Sequence, residues 1–207
     1  MLHLAAILVA LGAGLIAGRL QNASSGVKPR FPIATVVIAV IVEIMFVAQL
    51  AIPSLLQLFA RAPSLLSNGQ LWRAVTALFV QDAGPVGAFV NLAALLILGS
   101  VAEKRMGPTM WLIIYFGGGI TTEFLALAWQ PDGAGNSIAC FALAGGLTVL
   151  ALKRSMGALL LCVCLIGLIA AVTLLLLRDI HGIGYCAGIA YAAAARRLSQ
   201  TQTGDRL

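Results

Sequence analysis

Apolar runs of roughly 18 to 25 residues, separated by short polar stretches, recur along this chain, and each is long enough to cross a hydrocarbon core of about 30 Å as a helix rising about 1.5 Å per residue. That feature excludes most soluble folds. A soluble domain is about 25% charged, whereas 10% of these 207 residues are charged and 61% are hydrophobic, so the chain cannot cover a core with polar surface. The fold class is therefore all-α, a polytopic membrane helix bundle whose outer surface meets the lipid bilayer. The net charge of +6 does not point to a nucleic acid partner, because the basic residues form short clusters between apolar runs and not one patch.

Polar punctuation predicts seven helices: Leu2 to Gly18, Phe31 to Ala51, Ala88 to Ala102, Thr109 to Trp129, Ser137 to Leu152, Gly157 to Leu177 and His181 to Ala195. The last six form a core. The first has the length of a helix or of a signal sequence, but its basic residues follow the apolar run and no small-residue cleavage site comes after it, which favours an extra N-terminal transmembrane helix. The organisation read from this is an extra helix at 1–20, a basic cytoplasmic linker at 21–30, a membrane domain at 31–198 and a short tail at 199–207. Ala51 to Val86, broken by Pro53, Pro63, Asn68, Gly69 and Pro85, reads as a structured loop resting in the membrane interface. His3 reads as an interfacial residue, and Cys140, Cys162, Cys164 and Cys186, all within apolar runs, read as packing residues with no metal or redox task.

Orientation follows from the basic residues. With strict alternation, Arg19, Lys28, Arg30, Lys104, Arg105, Lys153, Arg154, Arg196, Arg197 and Arg206 share one side, ten of the thirteen, against Arg61, Arg73 and Arg178 on the other. The richer side is expected to be cytoplasmic, with the C-terminus on it.

Polar residues inside a membrane mark function more often than packing, and here they are Glu43, Asn91, Glu103, Glu123, Ser137 and His181. A nucleophile needs a base within hydrogen-bond reach, and His181 is the histidine of the six-helix core. Ser137 stands 16 residues before Lys153, His181 15 before Arg196 and Asn91 13 before Lys104. At about 1.5 Å per residue the three share one layer, roughly 20 to 24 Å above the cytoplasmic boundary and below the outer edge of the core. Ser137 also opens its helix, so its backbone N–H is an unpaired donor at the positive end; a serine there is equally a common cap. Because that helix is too short to fill the core, a depression open to water is expected above Ser137. Glu43 and Glu123 read as buried hydrogen-bonding residues at helix contacts, with an ion path as the other possibility.

The order Trp72-Arg73, Asn91, Glu103-Lys104-Arg105-Met106-Gly107, Gly135-Asn136-Ser137, then His181-Gly182-Ile183-Gly184 with Gly188, resembles the rhomboid family of intramembrane serine proteases from about Phe31 to Arg197. The resemblance implies a six-helix rhomboid-like core and a serine endopeptidase that uses no cofactor and cleaves transmembrane segments of membrane-protein substrates near the outer face. It implies Ser137 as nucleophile, His181 as general base without a carboxylate, and Asn91 with the Ser137 N–H as oxyanion donors. Gly135, Phe141, Gly184, Gly188, Trp72, Arg73 and Glu103 would be supporting residues. Asp179, two residues before His181, is expected to cap the last helix and to point away from the ring. The setting implied is the plasma membrane of a prokaryote.

The chain departs from the family pattern at four positions. Gly87 stands where the family has a histidine four residues before the asparagine, and Ile138 stands where a glycine follows the nucleophile. Phe141 replaces a common tyrosine, and Gln81 stands where another loop histidine often occurs. The second reading is accordingly a proteolytically inactive rhomboid-like protein that binds transmembrane clients.

Overall fold

The computed structural model describes residues 2–24, 31–152 and 157–204 of the chain. Lys28, Arg30, Lys153, Arg154 and Arg206, part of the basic count above, lie outside the described residues. The described elements are α1 (Leu2–Ser24), α2 (Ile33–Ala51), the short helices α3 (Ser54–Phe59), α4 (Pro63–Ser67) and α5 (Arg73–Thr76), and α6 (Gly84–Ala94) with a π turn at Leu95–Gly99. Then come α7 (Ser100–Ala126), α8 (Ser137–Ala151), α9 (Ala158–Leu176) and α10 (Ile180–Gly204).

Each of the seven predicted segments is helical, and four stretches among the described residues are long and apolar enough to cross a membrane: Leu2–Ala23, Ile33–Ala51, Gly84–Ala126 and Ala158–Leu176. The protein is a polytopic helical membrane bundle. Gly84–Ala126 has 43 residues, about twice what one crossing needs. It is broken at Gly107, whose φ of 77° and ψ of 164° are not helical, ahead of Pro108. The Trp111 indole N–H donates to the Gly99 carbonyl at 3.0 Å, although residues twelve apart on one straight helix lie about 18 Å apart. The chain therefore folds back at Gly107, where glycine tolerates the positive φ and proline restarts the helix.

α8 is the central helix, with Ile138 to Thr148 buried throughout. Its small residues explain this placement, since without water to drive association helices pack where backbones can approach. A Cβ at Gly188 of α10 would fall 1.8 Å from the Ala142 carbonyl oxygen, and one at Gly145 would fall 2.0 Å from that of Tyr185. α1 joins the bundle by the same device. Ala6, Ala10, Ala13 and Ala17 are buried along one stripe, and a Cβ at Gly14 would lie 2.6 Å from the Ala144 Cβ. The extra helix thus packs on α8 and α9 as an integral wall.

Two expectations about buried polar residues divide. Glu123 is buried, as expected, but its partner is Arg61 of the loop between α3 and α4 and not a residue of a neighbouring helix. Glu43 is exposed, because α2 turns only the stripe of Ala34, Thr35, Ile38, Ala39 and Val42 inward and Glu43 falls off its side.

The 51–86 segment is structured, as its mixed composition predicts. Arg73 is buried, and its guanidinium donates to the Gln57 carbonyl at 2.9 Å, the Ala60 carbonyl at 2.8 Å and the Gln70 side chain at 2.7 Å, while Trp72 beside it is exposed. One side chain gathers α3, α5 and the turn between them. Arg73→Ala is expected to lower stability by about 2 to 4 kcal/mol, since carbonyls bonded to a charged donor lose their partner. Unchanged melting temperature and unchanged turnover in detergent would together remove this bracing role.

Candidate active site

The turn from α9 into α10 fixes one half of the site. Arg178 adopts a φ of 53°, its N–H donates to the Leu175 carbonyl at 3.0 Å and the Asp179 N–H to the Leu174 carbonyl at 2.9 Å. This pairing is the Schellman closure of a helix end, with arginine in the left-handed position that glycine usually takes. Asp179 then sits just outside α10, and its Oδ1 accepts the His181 backbone N–H at 2.7 Å. The same oxygen lies 2.6 Å from His181 Nδ1. Asp179 caps the helix, as expected, but the expectation that it points away from the ring is overturned, since its Oδ1 faces the imidazole. Helical spacing would turn the two side chains apart only if both lay on one helix, whereas Asp179 precedes α10 and a capping side chain folds back over the first turn.

The other half is the start of α8. His181 Nε2 lies 3.0 Å from Ser137 Oγ, and the Phe141 ring stands against the imidazole at a centroid distance of 4.7 Å. Depth counting put these residues in one layer, and the fold puts them in contact. Gly184 allows the approach, since a Cβ there would sit 2.6 Å from the Ile138 carbonyl oxygen. Ser137 opens α8, so its N–H has no acceptor within that helix.

Asn91 arrives from α6. Its Nδ2 donates to Gln81 Oε1 at 2.8 Å, Gln81 Nε2 donates to Asn136 Oδ1 at 2.9 Å, and the Gln81 backbone N–H and carbonyl bond to the side chain of Gln49 at 3.1 and 2.6 Å. A primary amide carries two N–H groups, so one of Asn91's remains for another acceptor. The backbone at Gly135, φ 138°, brings this amide close: a Cβ there would lie 3.4 Å from Asn91 Nδ2 and 3.8 Å from Ser137 Oγ. At Gly87 a Cβ would lie 2.3 Å from that of Ala83. The position has no room for a side chain as the helix now runs, and Gln81 supplies the polar partner near Asn91 from the loop instead.

A cavity of about 360 Å³ lies over this cluster, lined by Ser137, His181 and Asn91, on one side by the loop residues Arg61 and Asp132, and on the other by Leu4 and Leu8 of α1. α8 has 15 residues, about 22 Å, which leaves the space that its shortness predicts. Ile138 lines the wall and is buried.

Three supporting residues lie elsewhere. Glu103 accepts the backbone N–H groups of Ala34 and Thr35 at 3.0 and 2.8 Å, so it caps α2 at the far end of the bundle. Trp72 and Arg73 brace the loop, as above.

A family model described as "Rhomboid domain" matches residues 68–197. The chain belongs to the rhomboid family. Among curated relatives, this rhomboid chain is 32% identical over 96 residues to Rhomboid protease GluP of Bacillus subtilis (strain 168), covering 46% of the chain and 19% of that protein. It is 37% identical over 90 residues to Rhomboid-like protease 3 of Toxoplasma gondii, covering 42% and 34%. The chain thus spans well under half the length of the curated relatives it matches. Both relatives are named as proteases.

Four residues of the rhomboid cluster have a larger part here than the sequence shows. In sequence Gln81 marks only the place of a loop histidine, Asn136 only the residue before Ser137 in the motif, Arg61 is one basic residue of three on its side, and His3 is interfacial. His3 Nε2 in fact pairs with Asp179 Oδ2. Burial opposes the charge on Asp179, but the bonds from the His181 ring, the attraction of that imidazole, and the bonds from His3 and the His181 backbone outweigh it. The carboxyl, in the turn between the two helices, is held well below the usual carboxylate range.

Proposed function

We propose that this rhomboid chain is a serine endopeptidase that cleaves transmembrane segments of other membrane proteins near the outer face of the membrane. The observation that carries the reading is the 3.0 Å approach of His181 Nε2 to Ser137 Oγ beneath the cavity. A nucleophile and base within hydrogen-bond reach are the parts acyl transfer needs. In this reading Ser137 gives its proton to His181 Nε2 as Oγ bonds to a peptide carbonyl carbon. The carbonyl oxygen becomes the oxyanion, facing the Ser137 N–H and the remaining Asn91 N–H. His181 then passes the proton to the leaving nitrogen, the C–N bond breaks, and an acyl-Ser137 ester remains. Water attacks that ester with His181 again as base, which frees the new carboxylate and restores Ser137. Gln81 holds the Asn91 amide for this task.

A fluorophosphonate probe in detergent tests the assignment. Wild type is expected to label and Ser137→Ala not to label. A wild type that neither labels nor cleaves across several substrates would favour the inactive, client-binding reading, in which the missing histidine at Gly87 and the bulk of Ile138 have removed catalysis.

We place the C-terminus on the cytoplasmic side on the strength of the basic-residue count, and the chain in the plasma membrane of a prokaryote on the family resemblance. In a background without the four native cysteines, a cysteine at Ser24 or at Ser155, the latter outside the described residues, should resist an impermeant thiol reagent added to intact cells. One at Asn68 should react. The reverse pattern would invert the topology.

A further inference from the structure

α1 lies outside the part of the chain that matches the family, residues 68–197, yet it reaches the candidate site twice. Leu4 and Leu8 line the cavity over Ser137, and His3 bonds to Asp179. Asp179 is buried, with 2% of its surface exposed. A buried carboxylate is costly unless its oxygens are paired. Here both are: Oδ1 takes the His181 backbone N–H at 2.7 Å and faces His181 Nδ1 at 2.6 Å, and Oδ2 faces His3. The three side chains form a line from α1 through the α9–α10 turn to Ser137.

We propose that His3 and Asp179 are positioning residues for His181, so that the N-terminal helix completes the active site. The proposal rests on the assignment of Ser137 and His181 made above. For His181 to take the Ser137 proton at Nε2, its Nδ1 must carry the other proton. Asp179 Oδ1, an acceptor when ionised, selects that tautomer and fixes the plane of the ring. A carboxylate held at one oxygen can still rotate about its last bond; His3, bonded to Oδ2, removes that freedom. With His3 gone, Oδ2 is left unpaired in a buried place, and Asp179 must turn toward another donor or take a proton. Either change loosens its hold on Nδ1–H. His3 reaches this point because α1 is locked against α8 and α9 by its small-residue stripe, which sets the height of its first turn.

The chain holds two histidines, His3 and His181, so protein labelled with ¹⁵N-histidine gives two sets of ring signals. In wild type the His181 Nδ1 proton is expected at low field and slow to exchange. It should be lost in Asp179→Asn, shifted in His3→Leu and preserved in His3→Gln, whose amide keeps a donor toward Oδ2. Turnover of a model transmembrane substrate should follow. Asp179→Asn should lower kcat by about 100-fold, within what a general base contributes, and His3→Leu by about tenfold, as where the group orienting a histidine is removed. KM should hold in both, and His3→Gln should restore kcat. His3 is half exposed, so its variants fold even if Asp179→Asn does not; a melting curve of each confirms this. His181 ring signals indifferent to both Asp179→Asn and His3→Leu overturn the proposal, as does an equal kcat for His3→Leu and wild type. A wild type that takes up no serine probe while its His181 signals still answer to His3 would sink the protease reading and leave the relay itself standing.

Discussion

Ser137→Ala and His181→Ala are each expected to abolish cleavage of a model transmembrane substrate, with losses on the order of 10⁴ to 10⁶ in turnover. With Nε2 at 3.0 Å from Oγ the two groups share one proton, so neither has a task without the other: an alcohol without its base is a poor nucleophile, and a base without the alcohol has nothing to activate. The double variant should therefore be no worse than either single one. Both side chains border the cavity and are only partly buried, so melting temperatures should stay close to wild type. Substantial cleavage surviving either substitution, or losses that multiply in the double variant, would show that the pair does not act as a unit.

The shared height of Ser137, His181 and Asn91 was legible in the chain because membrane thickness is a ruler. Basic clusters mark one edge, helical rise converts residue count into height, and 16 residues for Ser137 against 15 for His181 leave little room for disagreement. Helices were legible for the same reason, since apolar runs of that length have no other way to satisfy their backbone groups in lipid. Legibility fails where contacts join distant residues through geometry that periodicity does not encode. Nothing in the sequence says that α1 ends up beside the α9–α10 turn, so the pairing of His3 with Asp179, 176 positions apart, could not be read. Asp179 itself was misjudged by helix arithmetic applied one residue too early. Glu43 was misjudged because α2 packs along one narrow stripe, which composition does not reveal. Gln81 was noted only as the absence of a histidine; its use appears once Asn91 and Asn136 are seen to converge on it. The lesson is specific to membrane chains: heights are written in the sequence, while neighbours at equal height are decided by packing.

Arg61→Leu is expected to destabilise the bundle by about 3 to 5 kcal/mol. Arg61 and Glu123 are 2% and 1% exposed and form an ion pair. The guanidinium also donates to the carbonyls of Pro131 at 3.1 Å, Gln130 at 2.8 Å and Asp132 at 3.3 Å, while its backbone N–H donates to the Gly133 carbonyl at 3.0 Å. One arginine thus holds the whole segment that leads into Gly135, Asn136 and Ser137. Replacing it with leucine leaves a buried carboxylate and three carbonyls without partners, and unpaired buried charge is the costlier loss. Adding Glu123→Gln to Arg61→Leu should therefore recover part of the stability, although Glu123→Gln alone should destabilise, because it removes the charge that the guanidinium faces. A double-mutant cycle followed by thermal melting in detergent measures this as a coupling between the two positions. Additive losses, with no recovery in the double variant, would mean that the carbonyl bonds and not the ion pair hold the loop. In either case serine-probe labelling should fall with Arg61→Leu at temperatures where the bundle is still helical, since the start of α8 would be the first part released.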